Sequence, residues 1–369
     1  MANLQDLPVR DDLKGKEPYG APQLSVPVSL NVNENTHRIP EEVAVDIIGR
    51  LAAAVLDINR YPDREFLALR QALASYLNSE VHSGADLTTD NIWAANGSNE
   101  VLQHIFQAFG GPGRLAMGFE PTYSMYPLLA KGMGTAYVAA GRGDRYELTP
   151  QIIREAILAN KPNIVLLCSP NNPTGTPLSL DCIEAAYDAI TEATGGVVVV
   201  DEAYGEFGSV TEVSALTLLP GRERLMVSRT MSKAFAFAGA RVGYLAADPA
   251  VVDALRLVRL PYHLSAFTQA AAEAALDHSE LMLSTVADIS LQRDRIVESL
   301  REMGLDPYRS DANFVLFGGL EDSNQVFEAL LARGVLIRNV GIPGTLRVTA
   351  GTESETTAFL SALREVLGR

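Results

Sequence analysis

The sequence predicts an α/β fold. A large domain on a mostly parallel, seven-stranded sheet sandwiched by helices is followed by a smaller α+β C-terminal domain. Three observations carry this expectation. Strand-like and helix-like stretches alternate through the middle of the chain. Two of the strands, "IVLLC" and "VVVV", are apolar on both faces, as strands covered by helices on both sides must be. After about residue 300 the pattern changes to a few strands and helices of their own. With 369 residues, 47% of them hydrophobic, the chain can bury a core of this size and a second, smaller one.

Residues 1–40 are rich in Pro, Asn and polar side chains with little periodicity, and read as an extended arm that packs on the rest. From 41 to 80, apolar residues recur at helical spacing: Val43, Ile47, Ile48 and Leu51, then Phe66, Leu69, Leu73, Tyr76 and Leu77. The turn "RYPDRE" separates the two helices. "NIWAANG" is a strand and "SNEVLQHIFQAFG" a helix closed by Gly110-Gly111. The alternation then runs through the strands "RLAMGF", "TAYVAA", "NIVLLCS", "GVVVVDEAY", "LMVSRT" and "ARVGYLAA". The intervening helices are "YSMYPLLAKGM", "TPQIIREAILAN" and "LDCIEAAYDAITEAT". A helical region follows from about 265 to 300. The last segment holds the strands "NFVLFG", "VLIRNV" and "TLRVTAG". The expected division is an arm at 1–40, a large domain at 41–265 and a small domain at 266–369.

The net charge of −15 argues against nucleic acid or an anionic membrane surface as partner, while leaving room for a local basic pocket. Two cysteines, Cys168 and Cys182, suggest a reducing compartment without a disulfide framework. The five histidines have no metal-ligand spacing, so no metal site is expected. The charged N-terminal stretch lacks a signal-peptide core, and no apolar run reaches membrane-helix length. A cytoplasmic protein is expected. No GxGxxG lies between a strand and a helix, which disfavours a nicotinamide-dependent dehydrogenase.

Ligands of open α/β sheets bind at the carboxyl ends of the strands. In this chain polar residues gather there: Ser98 and Asn99, Asn172, Asp201, Thr230, Ser232 and Lys233, with Arg241 a little beyond. Each has an ordinary structural reading. Ser98 is a normal helix cap, Asn172 before Pro173 a normal turn residue, and Asp201 a turn cap. Lys233, in the nearly uncharged "RTMSKAFAFAGARVG", is either a surface lysine or an amine held partly neutral in a semi-apolar pocket. Taken together the types match one ligand. Amides at a helix N-terminus, the hydroxyls of Thr230 and Ser232 and the fork of Arg241 suit a phosphate. Asp201 suits a protonated ring nitrogen, and Asn172 and Tyr204 suit a phenolate oxygen. Tyr123 suits one face of a planar ring and the small Ala203 the other, while the Lys233 amine suits an aldehyde. Phosphate, pyridinium, phenolate and aldehyde belong together in pyridoxal 5′-phosphate.

Twelve motifs in order then carry a resemblance: "PYGAPQ", "LNVNEN", "RYPDRE", "ANGSNE", "PTYSMYP", "SPNNPTG", "VVVVDEAY", "SRTMSKAFAFAGARVGY", "LVRLPYHLS", "DANFVLF", "GVLIRNVG" and "LRVTAG". Over residues 10–352 the chain resembles the fold-type-I pyridoxal-phosphate-dependent aminotransferases, and within them the histidinol-phosphate aminotransferases. The resemblance implies that Lys233 is the Schiff-base lysine. It implies that Asp201 pairs with the ring nitrogen, that Asn172 and Tyr204 hold the ring oxygen, and that Tyr123 and Ala203 flank the ring. Ser98, Asn99, Thr230, Ser232 and Arg241 would bind the cofactor phosphate, and Tyr61 would reach the phosphate of a neighbouring subunit. Tyr19, Asn33, Arg338 and Arg347 would bind substrate, and the arm would form part of the small domain and a lid.

The implied reaction is a ping-pong transamination between histidinol phosphate and 2-oxoglutarate, giving imidazole acetol phosphate and glutamate, in a homodimer with shared active sites. An aromatic or broad-specificity aminotransferase and a threonine-phosphate decarboxylase remain as alternatives, since both use the same cofactor residues. One stretch departs from the family pattern. Thr36 and His37 follow "NEN" where a proline is usual, near the substrate entrance. The departure bears on fine specificity and not on the cofactor, and His37 reads as a surface histidine.

Overall fold

A computed structural model describes residues 3, 6–18, 20–79, 84–209 and 213–368. The arm carries a short strand β1 (Val28–Ser29). The helices α1 (Glu41–Leu56) and α2 (Leu67–Ser79) then precede strand β2 (Ile92–Ala95) and helix α3 (Ser98–Phe109). The alternation continues with β3 (Leu115–Glu120), α4 (Met125–Gly132), β4 (Ala136–Gly141), α5 (Pro150–Asn160), β5 (Ile164–Cys168) and α6 (Leu180–Ala193). It closes with β6 (Val197–Asp201), β7 (Leu225–Thr230) and β8 (Gly243–Ala247). Then come α7 (Pro249–Val258), which the periodicity reading passed over, and α8 (Ala266–Asp277), α9 (Ser279–Leu283) and α10 (Val286–Glu302). The last segment contains β9 (Asp306–Pro307), β10 (Phe314–Gly318), α11 (Ser323–Ala332), β11 (Val335–Leu336), β12 (Leu346–Thr349) and α12 (Glu353–Leu367).

The seven predicted strands form one sheet in the order β2-β8-β7-β6-β5-β3-β4. β8 pairs antiparallel with both β2 and β7, and the other pairings are parallel. Every residue of β5 and β6 is buried, as their apolar runs require, and the burial takes in Asp201 at the end of β6. The carboxyl ends of β2, β5, β6 and β7 therefore share one edge. β8 enters that edge at its start, which is how Arg241 arrives beside residues from the parallel strands.

Two hydrophobic clusters fill the molecule. The first joins the large sheet to α1–α8 and includes Trp93, Phe106, Phe119 and Phe235. Helix α8 packs on α1 and α2, with Ala271, Ala272, Ala274 and Ala275 in this cluster. The second cluster joins α10, β10, β12 and α12 through Phe314, Phe317 and Phe359, and takes in Tyr204 and Phe207 from the large sheet's edge. A three-stranded antiparallel sheet, β12-β10-β9, is its backbone. The arm is not separate from this part: β1 pairs in parallel with β11, and Thr349 N donates to Leu30 O at 3.0 Å. Helix α1 buries Val43 and Ile47 but leaves Val45 and Ile48 exposed, because it is apolar on two faces rather than one.

Candidate active site

Gly97 lies two residues beyond β2 and adopts φ 87°, a left-handed conformation that glycine takes without strain. A side chain there would run into the Arg241 guanidinium. Gly97 takes the cap position, so Ser98, expected as the cap, is the first helical residue of α3. A side chain at Gly243 would meet the backbone of Gly97 and Ser98, so β8 lies directly against this helix start. Close approach of backbone to backbone thus builds a cradle of free helix N–H groups with a cation over it, the arrangement that binds a phosphate. Arg241 Nη1 donates to Ser232 Oγ at 3.3 Å and to Ala238 O at 3.0 Å. Thr230 Oγ1 donates to Val242 O and accepts from Ser232 N, which fixes both hydroxyl-bearing residues.

These residues open onto a cavity of about 470 Å³. Ser98, Asn99, Tyr123, Asn172, Asp201, Ala203, Tyr204, Thr230, Ser232, Lys233, Arg241, Asn33, Arg338 and Arg347 all line it. The chain thus brings together all but two of the predicted site residues. Tyr61 lies outside this cavity, largely exposed, with its ring stacked 4.4 Å from that of Tyr262. Tyr19 lies outside the described residues.

Lys233 is half-buried and its Nζ donates to Val32 O at 3.1 Å. Removal from water, with Arg347 and Arg241 nearby, pulls its amine down to about 8. Near neutral pH a substantial minority of it is then neutral and nucleophilic, as the pocketed reading requires. Asp201 is 3% exposed, and burial pushes its carboxyl up to about 6 against the opposing hydrogen bond from Tyr126. Tyr126 Oη donates to Oδ2 at 2.9 Å, while Oδ1 is buried without a hydrogen-bond partner. A buried, unsatisfied carboxylate oxygen is costly, and a ring N–H⁺ is the donor that would satisfy it. On this orphaned oxygen, the phosphate cradle and the nearby amine, the residues present fit pyridoxal 5′-phosphate.

Tyr123 Oη donates to Asn99 Oδ1 at 3.1 Å, which holds its ring beside the cradle. Arg347, from β12, donates through Nη1 to Asn172 Oδ1 at 2.6 Å and through Nη2 to Asn31 O at 2.9 Å. Arg338 is tied to Arg347 by reciprocal backbone hydrogen bonds of 2.9 Å, so two guanidinium groups share the cavity rim. Asn33, expected at the substrate, has its amide on Tyr204 Oη at 2.9 Å. Thr36 Oγ1 accepts from Thr352 N at 3.1 Å, and His37, read as a surface histidine, is half-buried beside Ala236 and Phe237.

Sequence reasoning missed Tyr126, Glu34 and Asn339. Tyr126 stands three residues after Tyr123, one helical turn on, and a buried tyrosine seeks a polar partner for its hydroxyl; that spacing was its available signal. Glu34 and Asn339 line the rim and leave no such trace.

Residues 25–363 match the family model of the class I and II aminotransferases. The chain is 62% identical to the histidinol-phosphate aminotransferase of Paenarthrobacter aurescens, over all of this chain and 97% of that one. It is 54% identical to that of Thermobifida fusca, over the same shares. Among solved structures it resembles the histidinol-phosphate aminotransferase of Sinorhizobium meliloti in complex with pyridoxal 5′-phosphate, with a TM-score of 0.83, 25% identity and 93% and 91% coverage of the two chains. It shares its fold with the aspartate aminotransferase of Thermus thermophilus, at a TM-score of 0.78, 24% identity and 92% coverage of each chain. With the cradle, the amine and the buried carboxylate already on one sheet edge, these likenesses place the chain in a family: it belongs to the class I and II aminotransferases.

Proposed function

We propose that this chain is a pyridoxal-phosphate-dependent histidinol-phosphate aminotransferase of histidine biosynthesis, with 2-oxoglutarate and glutamate as its second substrate pair. The observation that carries the reading is one cavity holding an amine lowered to about 8, an orphaned buried carboxylate oxygen, a phosphate cradle and two further arginines. The full-length identity to curated histidinol-phosphate aminotransferases supports the substrate.

When bound, pyridoxal phosphate supplies an aldehyde for the substrate amine and a protonated ring that accepts the electron pair released at the substrate Cα. Lys233 Nζ moves the proton at that Cα, for which an amine poised near neutrality is suited. Asp201 Oδ1 keeps a proton on the ring nitrogen. The helix amides of Ser98 and Asn99, the hydroxyls of Thr230 and Ser232 and the Arg241 fork bind the cofactor phosphate. Tyr123 and Ala203 would hold the ring, and Tyr204 and Asn172, which also line the cavity, would orient its oxygen. Arg347 and Arg338 take the substrate phosphate in one half-reaction and a carboxylate in the other, since a guanidinium fork matches either anion.

The proposal extends to assembly. Tyr61 sits too far out to serve its own cavity; Leu56 and Ile58, near it in sequence, and Leu257 and Leu260, near its stacking partner Tyr262 in sequence, are exposed. Such an uncovered apolar surface, with Tyr61 upon it, supports a homodimer in which Tyr61 completes the neighbour's phosphate site. The three-part division expected from the sequence stands as part of this proposal: the arm at 1–40, the cofactor-binding part at 41–265 and the small part at 266–369. Helix α8 is the join between the last two, since its alanines pack into the large core. No helix among the described residues is long and apolar enough to cross a membrane, and both cysteines are free and buried, which supports a cytoplasmic enzyme.

The test is a single half-reaction. The cofactor spectrum of the loaded protein is followed as histidinol phosphate, phenylalanine or threonine phosphate is added. Rapid conversion to the aminated cofactor with histidinol phosphate and slow conversion with phenylalanine is expected. Faster conversion with phenylalanine, or turnover of threonine phosphate, would overturn the substrate assignment.

A further inference from the structure

The hydroxyl of Tyr204 meets two amide donors. Asn33 Nδ2 lies at 2.9 Å and Asn172 Nδ2 at 3.4 Å. Both amides have their orientation fixed from the far side. Asn33 N donates to Thr349 Oγ1 at 3.0 Å, so the Thr349 proton turns to Asn33 Oδ1 at 3.2 Å, and only Nδ2 is left for Tyr204. Asn172 Oδ1 accepts from Arg347 Nη1, which likewise leaves Nδ2 for Tyr204. A phenol oxygen has two acceptor sites and one proton. With both acceptor sites taken, the proton of Tyr204 has only the cavity to point into, and Tyr204 lines that cavity.

The backbone at Asn33 is built for this task. Asn33 is 2% exposed and sits at φ 57°, a left-handed conformation that asparagine tolerates better than most residues. Asn313 Nδ2 donates to Asn33 O at 3.1 Å, so both its backbone groups and its side chain are held by the small part of the molecule.

We infer that Asn33 is a positioning residue for the cofactor rather than a substrate contact: acting through Tyr204, it obliges that hydroxyl to donate to the ring oxygen of pyridoxal phosphate. The inference rests on the cofactor reading above. A donor on the ring oxygen takes up part of its negative charge. Loss of that donor raises the affinity of the adjoining nitrogen for its proton, so the pH midpoint of the bound cofactor's visible absorbance moves up.

The experiment is a double-mutant cycle on the loaded protein with Asn33→Ala and Tyr204→Phe. It reads that pH midpoint and, separately, the dissociation constant of pyridoxal phosphate from the apoprotein. Tyr204→Phe is expected to raise the midpoint by about one unit. Asn33→Ala should raise it by a smaller amount, and the double variant should match Tyr204→Phe alone. Thr349→Val provides a second route if Asn33→Ala folds poorly. It frees the Asn33 amide to flip, and should shift the midpoint upward in the parent but not in the Tyr204→Phe background. Additive shifts would overturn the inference. So would an unmoved midpoint accompanied by a higher KM for histidinol phosphate, which would place Asn33 on the substrate. Parent protein that takes up no cofactor chromophore would overturn this inference and the cofactor reading together.

Discussion

Asp201, Lys233 and Arg241 reach the cavity from the ends and immediate sequels of strands in one sheet, whereas Asn33, Arg338 and Arg347 converge from the two ends of the chain. Asn33 and Thr349, which hold each other, are 316 residues apart in sequence. The floor is thus held by neighbours that the sheet would bring together in any case. The rim is held by hydrogen bonds between the arm and the small part of the molecule. Substitutions on the floor should therefore disturb the cofactor equally for every substrate. Substitutions of the rim arginines should act on substrate binding more than on the cofactor.

Lys233→Ala offers the largest effect. Transamination should fall by roughly four orders of magnitude or more with either substrate pair, measured as the single-turnover half-reaction. Normal turnover by this variant would remove Lys233 from the chemistry. Asp201→Asn sharpens the comparison differently. Burial holds the Asp201 carboxyl at about 6, above its unfolded value of 3.8, so the ionised form is disfavoured in the folded apoprotein. The native state binds the extra proton between those values, so this group's contribution to stability is present below pH 4 and lost as pH rises through 6. An uncharged isostere should accordingly raise apoprotein stability at pH 7.5 by roughly 1–3 kcal/mol. The same change should weaken cofactor binding. Thermal melts of the apoprotein and cofactor titration check the two halves, and a variant that loses stability would contradict the burial argument.

On the rim, Arg347→Lys keeps the charge and loses the fork. KM for histidinol phosphate should rise by roughly tenfold to a hundredfold while the cofactor spectrum stays close to the parent's. Loss of cofactor affinity on the same scale would show that rim and floor are one unit. Tyr126→Phe removes one hydrogen bond from Asp201 Oδ2, and cofactor affinity should fall by about tenfold, read by equilibrium titration. The smallest effect is a matter of pH. The neutral amine of Lys233 is the reactive form, so the rate of cofactor capture by the apoprotein should rise with pH and level off above about 8. A profile still climbing steeply at pH 10 would mean that the amine is not lowered.

The floor was legible for a physical reason. Asn172, Asp201 and Lys233 each follow an apolar strand, and a parallel sheet puts the sequels of its strands on one edge. The reversed direction of β8 was not legible, because strand pattern encodes burial and not polarity of pairing. Nor was the outward face of α1, where Ile48 shares the spacing of the buried Ile47 but points away from the core. On the rim, the residue types were readable and their partners were not. Asn33 looks like a substrate ligand in sequence, and only the distances to Tyr204 and Thr349 show which way its amide turns. Tyr126 escaped notice because a helical tyrosine facing the core looks like packing until its hydroxyl is located.

The tie between Asn33 and Thr349 also sets an order of assembly during synthesis. Chain emerges from the ribosome N-terminus first. The sheet that carries Lys233, Asp201 and the phosphate cradle is complete once β8 has been made, well before β12. Asn33 leaves the ribosome before that whole sheet and must wait for Thr349 in β12 before its amide is aligned. A nascent chain can therefore own a finished floor while the grip on Tyr204 is still absent, and the site is whole only when the arm and β12 have met.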